Sequence, residues 1–433
     1  MNNRVDSLNP EPNAKKLIHT KQGKAWLEQF ELADREVAIF VANKLTLVSH
    51  TEFERNLLKT FENIASSYGG RIGFFAVREL EKKQSPQSTL DDGIIPFYSQ
   101  VNSDDGISVN ALSSSSDQGS EARIAQVIRQ LCKIHPNKYL NHPTLESLRD
   151  NKCDAIIFVD DFIGSGNRVR EFLTSFWIEP SVVSWLSGKQ MKFHVVAYSG
   201  MEEGIASVER HRSKPSVSIY RDAPTYDSFL WDKSKKEKVK NVFRKYGRIA
   251  NQKRKNMWFG YKEGMGAMVF EHGCPNNTPA ILWEPDFQGS GWKGLFPNRA
   301  ISSEVASVFP PEIVSGDPIE ILMEVGQVKL AKSGLLSRRG EIGKIFLTAL
   351  ALIAKGQRKR SSLSYATGLS VDDCERLMEK CIRCGFITVN RRITPKGVAE
   401  LNAARRWRVR NFKPLDKGTN YYYPVQLRET TND

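Results

Sequence analysis

The stretch from Cys153 to Phe176 constrains the fold most. Cys153–Val159 ends in the apolar run AIIFV, which reads as a buried strand. Asp160 and Asp161 follow at once, then Phe162-Ile163 and Gly164-Ser165-Gly166-Asn167-Arg168. Beyond them Val169, Phe172, Leu173 and Phe176 are spaced i, i+3, i+4, i+7, as on one helix face. The order is strand, acidic pair, glycine-rich turn, helix. Further strands are expected at Arg71–Val77 (RIGFFAV), Phe193–Ser199 (FHVVAYS) and Ser216–Tyr220, with helices at Glu121–Lys133, Thr144–Asp150 and after Ser199. Strands alternating with helices imply a mostly parallel sheet covered on both faces. Ligands of such sheets bind at the carboxyl ends of strands, where Asp160–Arg168 falls.

The residue types of this loop suit a phosphate. Backbone N–H groups around Gly164 and Gly166 can converge on it, the Ser165 hydroxyl can donate, and a helix N-terminus adds favourable potential. Arg168 adds a bidentate, charge-assisted donor. Asp160 and Asp161 would repel the phosphate. They suit sugar hydroxyls, a Mg²⁺ ion or a cationic sugar-like transition state. The plainer alternative is a tight turn in which Asp161 or Ser165 caps a helix. A nucleotide or sugar-phosphate site is favoured, because a turn needs fewer of these residues.

VDDFIGSGNR, at Val159–Arg168, resembles the phosphoribosyl-diphosphate signature of type I phosphoribosyltransferases. The resemblance implies that Asp160 and Asp161 bind ribose hydroxyls and act in catalysis, and that Gly164, Ser165, Gly166, Asn167 and Arg168 hold the 5-phosphate. It implies Mg²⁺ with phosphoribosyl diphosphate or a nucleotide as the cofactor set. Ser165 replaces the usual Thr, and Arg168 stands where Thr or Ser is commoner. Elsewhere in such a site the residues are less telling. Arg78 reads as an exposed arginine, with a diphosphate contact as the alternative. The Ser-rich 113–120 stretch is either a lid or a linker, and His272 reads as structural.

Two helices are expected between Lys21 and Ser67, after a polar lead at 1–20. Met257–Trp283 reads as a small β-rich insertion or a sheet edge. The six cysteines form no disulfide framework, which fits a reducing cytoplasm, as does an N-terminus without the apolar core of a secretory signal. No apolar run approaches the ~20 residues that span a bilayer. Cys381 and Cys384 make a C-x2-C pair, but Cys374, Leu377, Met378, Cys381 and Ile382 share one helix face, so core packing is expected rather than a metal site.

Charge divides the chain. The net charge is +14, yet residues 1–232 carry 27 basic and 30 acidic groups. Residues 233–255 carry 11 basic and one acidic, and 329–413 carry 20 basic and six acidic. A polyanion partner should meet those two blocks. The first reads equally as a packed helix with a solvated face (Val239, Val242, Phe243 and Tyr246 make an apolar stripe) and as a nucleic-acid contact.

The second block looks like a winged helix. Helices are expected at Glu341–Lys355, Ser361–Gly368 and Ser370–Cys384. A wing follows at Phe386–Val389 and Ile393, and Thr394-Pro395-Lys396-Gly397 opens a last helix. Helix 371–383 bears Arg376, Lys380 and Arg383 against Asp372, Asp373, Glu375 and Glu379. Such a helix is poorly suited to lie among phosphates. Contact is expected instead from Arg358, Lys359, Arg360, Arg391, Arg392, Lys396, Arg405 and Arg406, with Arg408, Arg410 and Lys413 beyond. A protein-binding winged helix is the alternative.

The whole is expected to be α/β: a phosphoribosyltransferase-like, mostly parallel sheet flanked by helices, with an N-terminal helical segment and a C-terminal winged-helix domain. The divisions read as 1–70, 71–314 (including the basic helix 233–255 and the insertion), 315–412, and a tail at 413–433. This combination resembles effector proteins encoded beside bacterial retron reverse transcriptases. The resemblance implies a toxin-like enzyme, a glycosyltransferase or nucleotide N-glycosidase, in antiphage defence. Its partners would be the reverse transcriptase and its RNA–DNA hybrid. A phosphoribosyl-diphosphate-sensing transcriptional regulator without catalysis is the alternative.

Overall fold

The structure, a computed structural model, describes residues 17–80, 93–103, 105–111, 119–229, 231–286, 289–311, 317–333, 335–338 and 340–406. Most of the Ser-rich 113–120 stretch, the tail 413–433, and Arg408, Arg410 and Lys413 lie outside the described residues.

The chain runs α1 (Lys21–Glu28), α2 (Leu32–Asn43), β1 (Thr46–Val48), α3 (His50–Ala65), β2 (Arg71–Ala76), α4 (Gly119–Ile134), β3 (Tyr139–Asn141), α5 (Leu145–Asp150) and β4 (Cys153–Ile163). Then come α6 (Asn167–Trp177), α7 (Pro180–Ser187), β5 (Lys192–Gly200), α8 (Glu202–Glu209), β6 (Ser216–Asp222), α9 (Lys233–Ala250) and β7 (Met268–Phe270). The C-terminal part holds α10 (Pro318–Glu324), α11 (Glu341–Ala354), α12 (Arg360–Thr367), α13 (Val371–Arg383) and α14 (Pro395–Arg406). Caps come from the expected residue types: Thr144 caps α5, Ser49 caps α3 and Ser370 caps α13 through their hydroxyls.

Five strands form one parallel sheet in the order β3-β2-β4-β5-β6. The order reverses between β2 and β4, so the crevice at their carboxyl ends is the topological switch point. Ala76 of β2 pairs with Val159, after which β4 continues beside β5 alone, as far as Ile163 opposite Gly200. The carboxyl end of β4 therefore projects past β2 and leaves a notch in the ladder.

Both faces are covered. On one, Phe75, Phe97, Phe158, Phe172 and Phe176 are buried together, with Phe97 and Phe176 rings 4.3 Å apart. Their edge-to-face and stacked contacts hold α6 against the sheet. On the other, Phe53, Leu57 and Phe61 of α3 and Ile124 and Ile128 of α4 cover Phe74, Ile157 and Val159.

The N-terminal helices do not stand apart. Trp26, Phe30, Val41 and Ala42 share one core with Tyr226, Phe243, Tyr246 and Ile281. Trp26 Nε1 donates to the Ile281 carbonyl at 2.9 Å, and Tyr226 Oη to that of Val41 at 2.9 Å. Between Lys21 and Ser67 there are three helices and a strand where two helices were expected. Met257–Trp283 differs too. Among the described residues only Met268–Phe270 is a strand, paired in parallel with β1, and the rest is short helical turns joined by irregular backbone. Its prolines withhold ladder N–H groups. Gly260, at φ +83°, lies so close to the Asn277 carbonyl that a Cβ would be 2.0 Å from the oxygen. No helix among the described residues is long and apolar enough to cross a membrane.

The C-terminal helices close their own core around Leu350, Leu352, Leu363, Cys374, Met378 and Cys381. The wing is minimal: Ile387 bridges Ile393, and Thr388 accepts the Arg391 N–H and donates its own to the Arg392 carbonyl. This domain is seated on the sheet edge. Arg360 makes two 2.8 Å bonds to the carboxylate of Asp222 at the end of β6, and Arg221 donates to the Gly368 carbonyl at 2.9 Å. Helices α12 and α13 both pack against β6.

Candidate nucleotide site at the switch point

The acidic pair lies inside β4, whereas the sequence pattern placed it just beyond the strand. The strand persists because its ladder with β5 continues and because both carboxylates find cationic or ring N–H partners in the interior. Asp160 is 1% exposed and Asp161 8%. Arg168, the second residue of α6, donates to Asp160 Oδ1 at 2.5 Å and Asp161 Oδ1 at 3.4 Å. His272 Nε2 is 3.1 Å from Asp161 Oδ2, and Asp160 Oδ1 also accepts the N–H of Asp161. Three of the four carboxylate oxygens are thus engaged. Expected to face a phosphate, the Arg168 guanidinium instead lies on the carboxylates.

The two carboxyls are not equivalent. Burial, then the charge of Asp161, pushes the pKa of Asp160 up to about 8 despite Arg168. Asp161 is buried too, but its hydrogen bond with His272 and the charges of His272 and Arg168 prevail and hold it ionised. One proton on the pair relieves the repulsion between them. The consequence for stability has a definite sign. Folded Asp160 keeps a proton that the unfolded chain, with an ordinary value of 3.8, releases. The native state therefore binds more protons across pH ~4–8, and stability falls as pH rises through that window. Thermal melts of wild type between about pH 5 and 8 should show the fall, and Asp160→Asn should flatten it.

The loop itself is short. Gly164–Gly166 turns directly into α6, with Gly166 at φ +77° as the N-cap residue. A Cβ on Gly166 would lie 2.6 Å from the Gly204 carbonyl oxygen, and one on Gly204 2.0 Å from that of Gly164. The two backbones are in contact, so the start of α8 braces the turn. Ser165 Oγ accepts the Asn167 N–H at 3.4 Å. The first-turn N–H groups of α6 lack intrahelical acceptors, as in any helix, and α6 begins four residues after the end of β4.

Three neighbours complete the site. Arg78, expected to be exposed, is 6% exposed and lies over Phe97 at 5.6 Å. Glu121 of α4 accepts the Glu79 N–H at 3.2 Å; burial raises its pKa, while the charges of Arg168 and Arg78 oppose that rise. His142 accepts the Ala76 N–H at 2.9 Å, and burial pushes its pKa down to about 3, which keeps it neutral. It holds the end of β2 in place.

His272 was read as structural from sequence, but the structure places it against Asp161. It comes from 111 residues away, carried by β7. Its ring stacks on Phe270 at 5.0 Å and lies parallel to His50 at 6.0 Å. Its buried Nδ1 has no partner among the described residues. No local spacing announces this pairing. The only sequence signal was a histidine two residues after an apolar MVF segment.

The residues expected to meet nucleic acid divide into two groups. Arg360 is held by Asp222, Arg391 makes 3.0 and 2.9 Å bonds to Glu375, Lys396 donates to the Cys384 carbonyl, and Arg405 donates to Gln327 and Asn402. Arg358, Lys359, Arg392 and Arg406 are exposed.

A parallel sheet with an acidic pair and a glycine turn at its switch point places the chain in the α/β class whose ligand crevice lies at the carboxyl ends of the strands. A family model described as PRTase-CE matches residues 24–298, well over half the chain, and one described as wHTH-PRTase associated matches 347–429. The chain belongs to the PRTase-CE family: a phosphoribosyltransferase-like domain followed by a winged helix. No curated protein and no solved structure matches it.

Proposed function

We propose that this chain is the toxin-like effector of a bacterial retron antiphage system, acting in the cytoplasm on a ribose 5-phosphate compound or nucleotide. The observation that carries the enzymatic part is the buried pair Asp160–Asp161 beside the Gly164–Gly166 turn at the switch point. The 5-phosphate would be held by Gly164, Ser165, Gly166, Asn167 and the first turn of α6. The bond from the anomeric carbon to its leaving group breaks, and the electron pair departs with that group. Ionised Asp161 steadies the positive charge left on the ribose ring, while Asp160, carrying its proton, bonds a ribose hydroxyl. The attacking group is either water, giving N-glycosidase chemistry, or an acceptor, giving glycosyl transfer. Arg168 would exchange its carboxylates for the incoming phosphate. Because the carboxylates already carry partners, any Mg²⁺ would arrive on the ligand's phosphates rather than in a protein cage.

The defence role rests on the union of the two domains in one chain. A retron reverse transcriptase and its RNA–DNA hybrid would hold the enzyme inactive. The docked winged helix favours this over a ligand-sensing DNA regulator. A regulator presents the N-terminal end of its recognition helix to bases, whereas α13 packs on β6. Induction of the chain alone should arrest growth and change the cellular nucleotide pool seen by mass spectrometry, and co-expression of the reverse transcriptase and its hybrid should relieve both. Normal growth with an unchanged pool would overturn the proposal.

A further inference from the structure

The basic run 233–255 is not uniformly available to a partner. Along the first part of α9 three of the five lysines are occupied. Lys235 lies over the Phe40 ring at 3.6 Å, Lys240 pairs with Asp227 at 3.0 Å, and Lys236 donates to the Asp227 carbonyl at 2.5 Å. Lys245 is bound by Glu31 and Asp34 at 2.7 and 2.8 Å, and Arg254 reaches Glu284 at 3.5 Å. The last turns of α9 and the helical turn after it are different. Asn241, Arg244, Lys245, Arg248, Gln252, Lys255 and Trp258 line one cleft of about 480 Å³, with no carboxylate among them. Among the described residues no carboxylate pairs with Arg244, Arg248 or Lys255. Arg244 bonds only the Asn241 amide, at 2.7 Å, and lies over Phe259 at 5.6 Å.

Like charges spaced i, i+4 on a helix destabilise it, and Arg244 and Arg248 are so spaced without a counter-charge. Trp258 forms the aromatic wall. Its Nε1 donates to the Asn251 carbonyl at 2.9 Å, and its ring lies so close over Gly247 that a Cβ there would be 2.8 Å away. The indole is thus fixed in orientation, half-buried, with part of its surface in the cleft. Three uncompensated cations around a clamped indole combine a phosphate-tracking surface with a stacking platform.

We propose that this cleft is a single-stranded nucleic-acid site. Arg244, Arg248 and Lys255 take phosphodiester groups, and one unpaired base stacks on Trp258. A duplex would hide its base faces from the indole, so the single strand is the form that uses both features. The site lies on the phosphoribosyltransferase-like body and belongs neither to the winged helix nor to the switch-point notch. It goes beyond the proposed function and stands or falls independently of the reaction there.

Fluorescence anisotropy of the full chain with labelled oligo-dT and oligo-U tests it. Arg244→Gln/Arg248→Gln/Lys255→Gln, all at exposed positions, should weaken binding tenfold or more. It should also reduce the log–log salt slope by about 2, since each of three lost phosphate contacts contributes roughly 0.7. Lys24→Gln/Lys133→Gln/Lys192→Gln, at three exposed lysines outside both basic blocks, should leave the slope nearly unchanged. In the wild type, photo-crosslinking of either oligomer should map to the peptide containing Trp258, a readout that needs no variant to fold. Unchanged affinity and slope in the cleft variant, or crosslinks confined to the winged helix, would overturn the proposal. So would full displacement of the oligomers by inorganic phosphate, which would make the cleft a free-anion site. Binding of an acidic protein with no response to either oligomer would do the same.

Discussion

Asp161→Asn is expected to reduce turnover by roughly a hundredfold to a thousandfold, the usual cost of removing one group that meets developing charge. Asparagine keeps the shape and the oxygen facing Arg168, but it carries no charge to steady a cationic ribose. Its amide nitrogen then replaces the oxygen that faces His272, so the His272 N–H loses its acceptor. His272→Gln should cost less, because an amide N–H can still reach Asp161. His272→Ala should approach the loss of Asp161→Asn if the imidazole does more than orient the carboxylate. Asp160→Asn should behave differently again, since Asp160 already carries a proton near neutral pH. It should lower turnover moderately and remove any inflection near pH 8 from the rate profile. The measurement is mass-spectrometric release of base or diphosphate by purified protein, with binding of a phosphorylated ribose ligand as the control for a formed site. Equal turnover in wild type and Asp161→Asn would remove the carboxylate from the chemistry.

The second large effect is expected from Gly204→Ala, a substitution outside the signature segment. Its Cβ would be placed 2.0 Å from the Gly164 carbonyl oxygen and 2.9 Å from the carbon, both backbone atoms. Neither can move aside as a flexible side chain would. Either α8 retreats or the turn is pushed out of the notch, and both misplace the N–H groups that would meet a phosphate. Overpacking of this kind costs about 1–3 kcal/mol of stability. Phosphate-ligand affinity should fall at least tenfold, while circular dichroism shows the fold retained. Calorimetric titration with phosphoribosyl diphosphate and thermal melts separate the two readouts. Undiminished affinity would show that α8 does not position the turn.

Much of this site was legible locally. An apolar run, two aspartates, a hydroxyl between glycines and a helix-spaced face carry their periods and turn chemistry within about two dozen residues. What the pattern misjudged was where the strand stops. Acidic residues ordinarily end a buried strand, but Arg168 and His272 compensate Asp160 and Asp161, so β4 runs on to Ile163. Arg78 was misjudged similarly, since a charged residue after a strand is usually exposed and here packs over Phe97.

By itself, the sequence determined strands β2, β4, β5 and β6, the parallel character of the sheet and the two basic blocks, because these follow from spacing and composition over short windows. Only the tertiary structure decided which charges remain free. It brought His272 to Asp161 across 111 residues, tied Arg360 to Asp222 and Lys245 to Asp34, and left Arg244, Arg248 and Lys255 around one cleft. The reason is physical. Hydrophobic periodicity is a property of neighbours in the chain, whereas neutralisation of a charge depends on which distant side chain the packing delivers within a few ångströms.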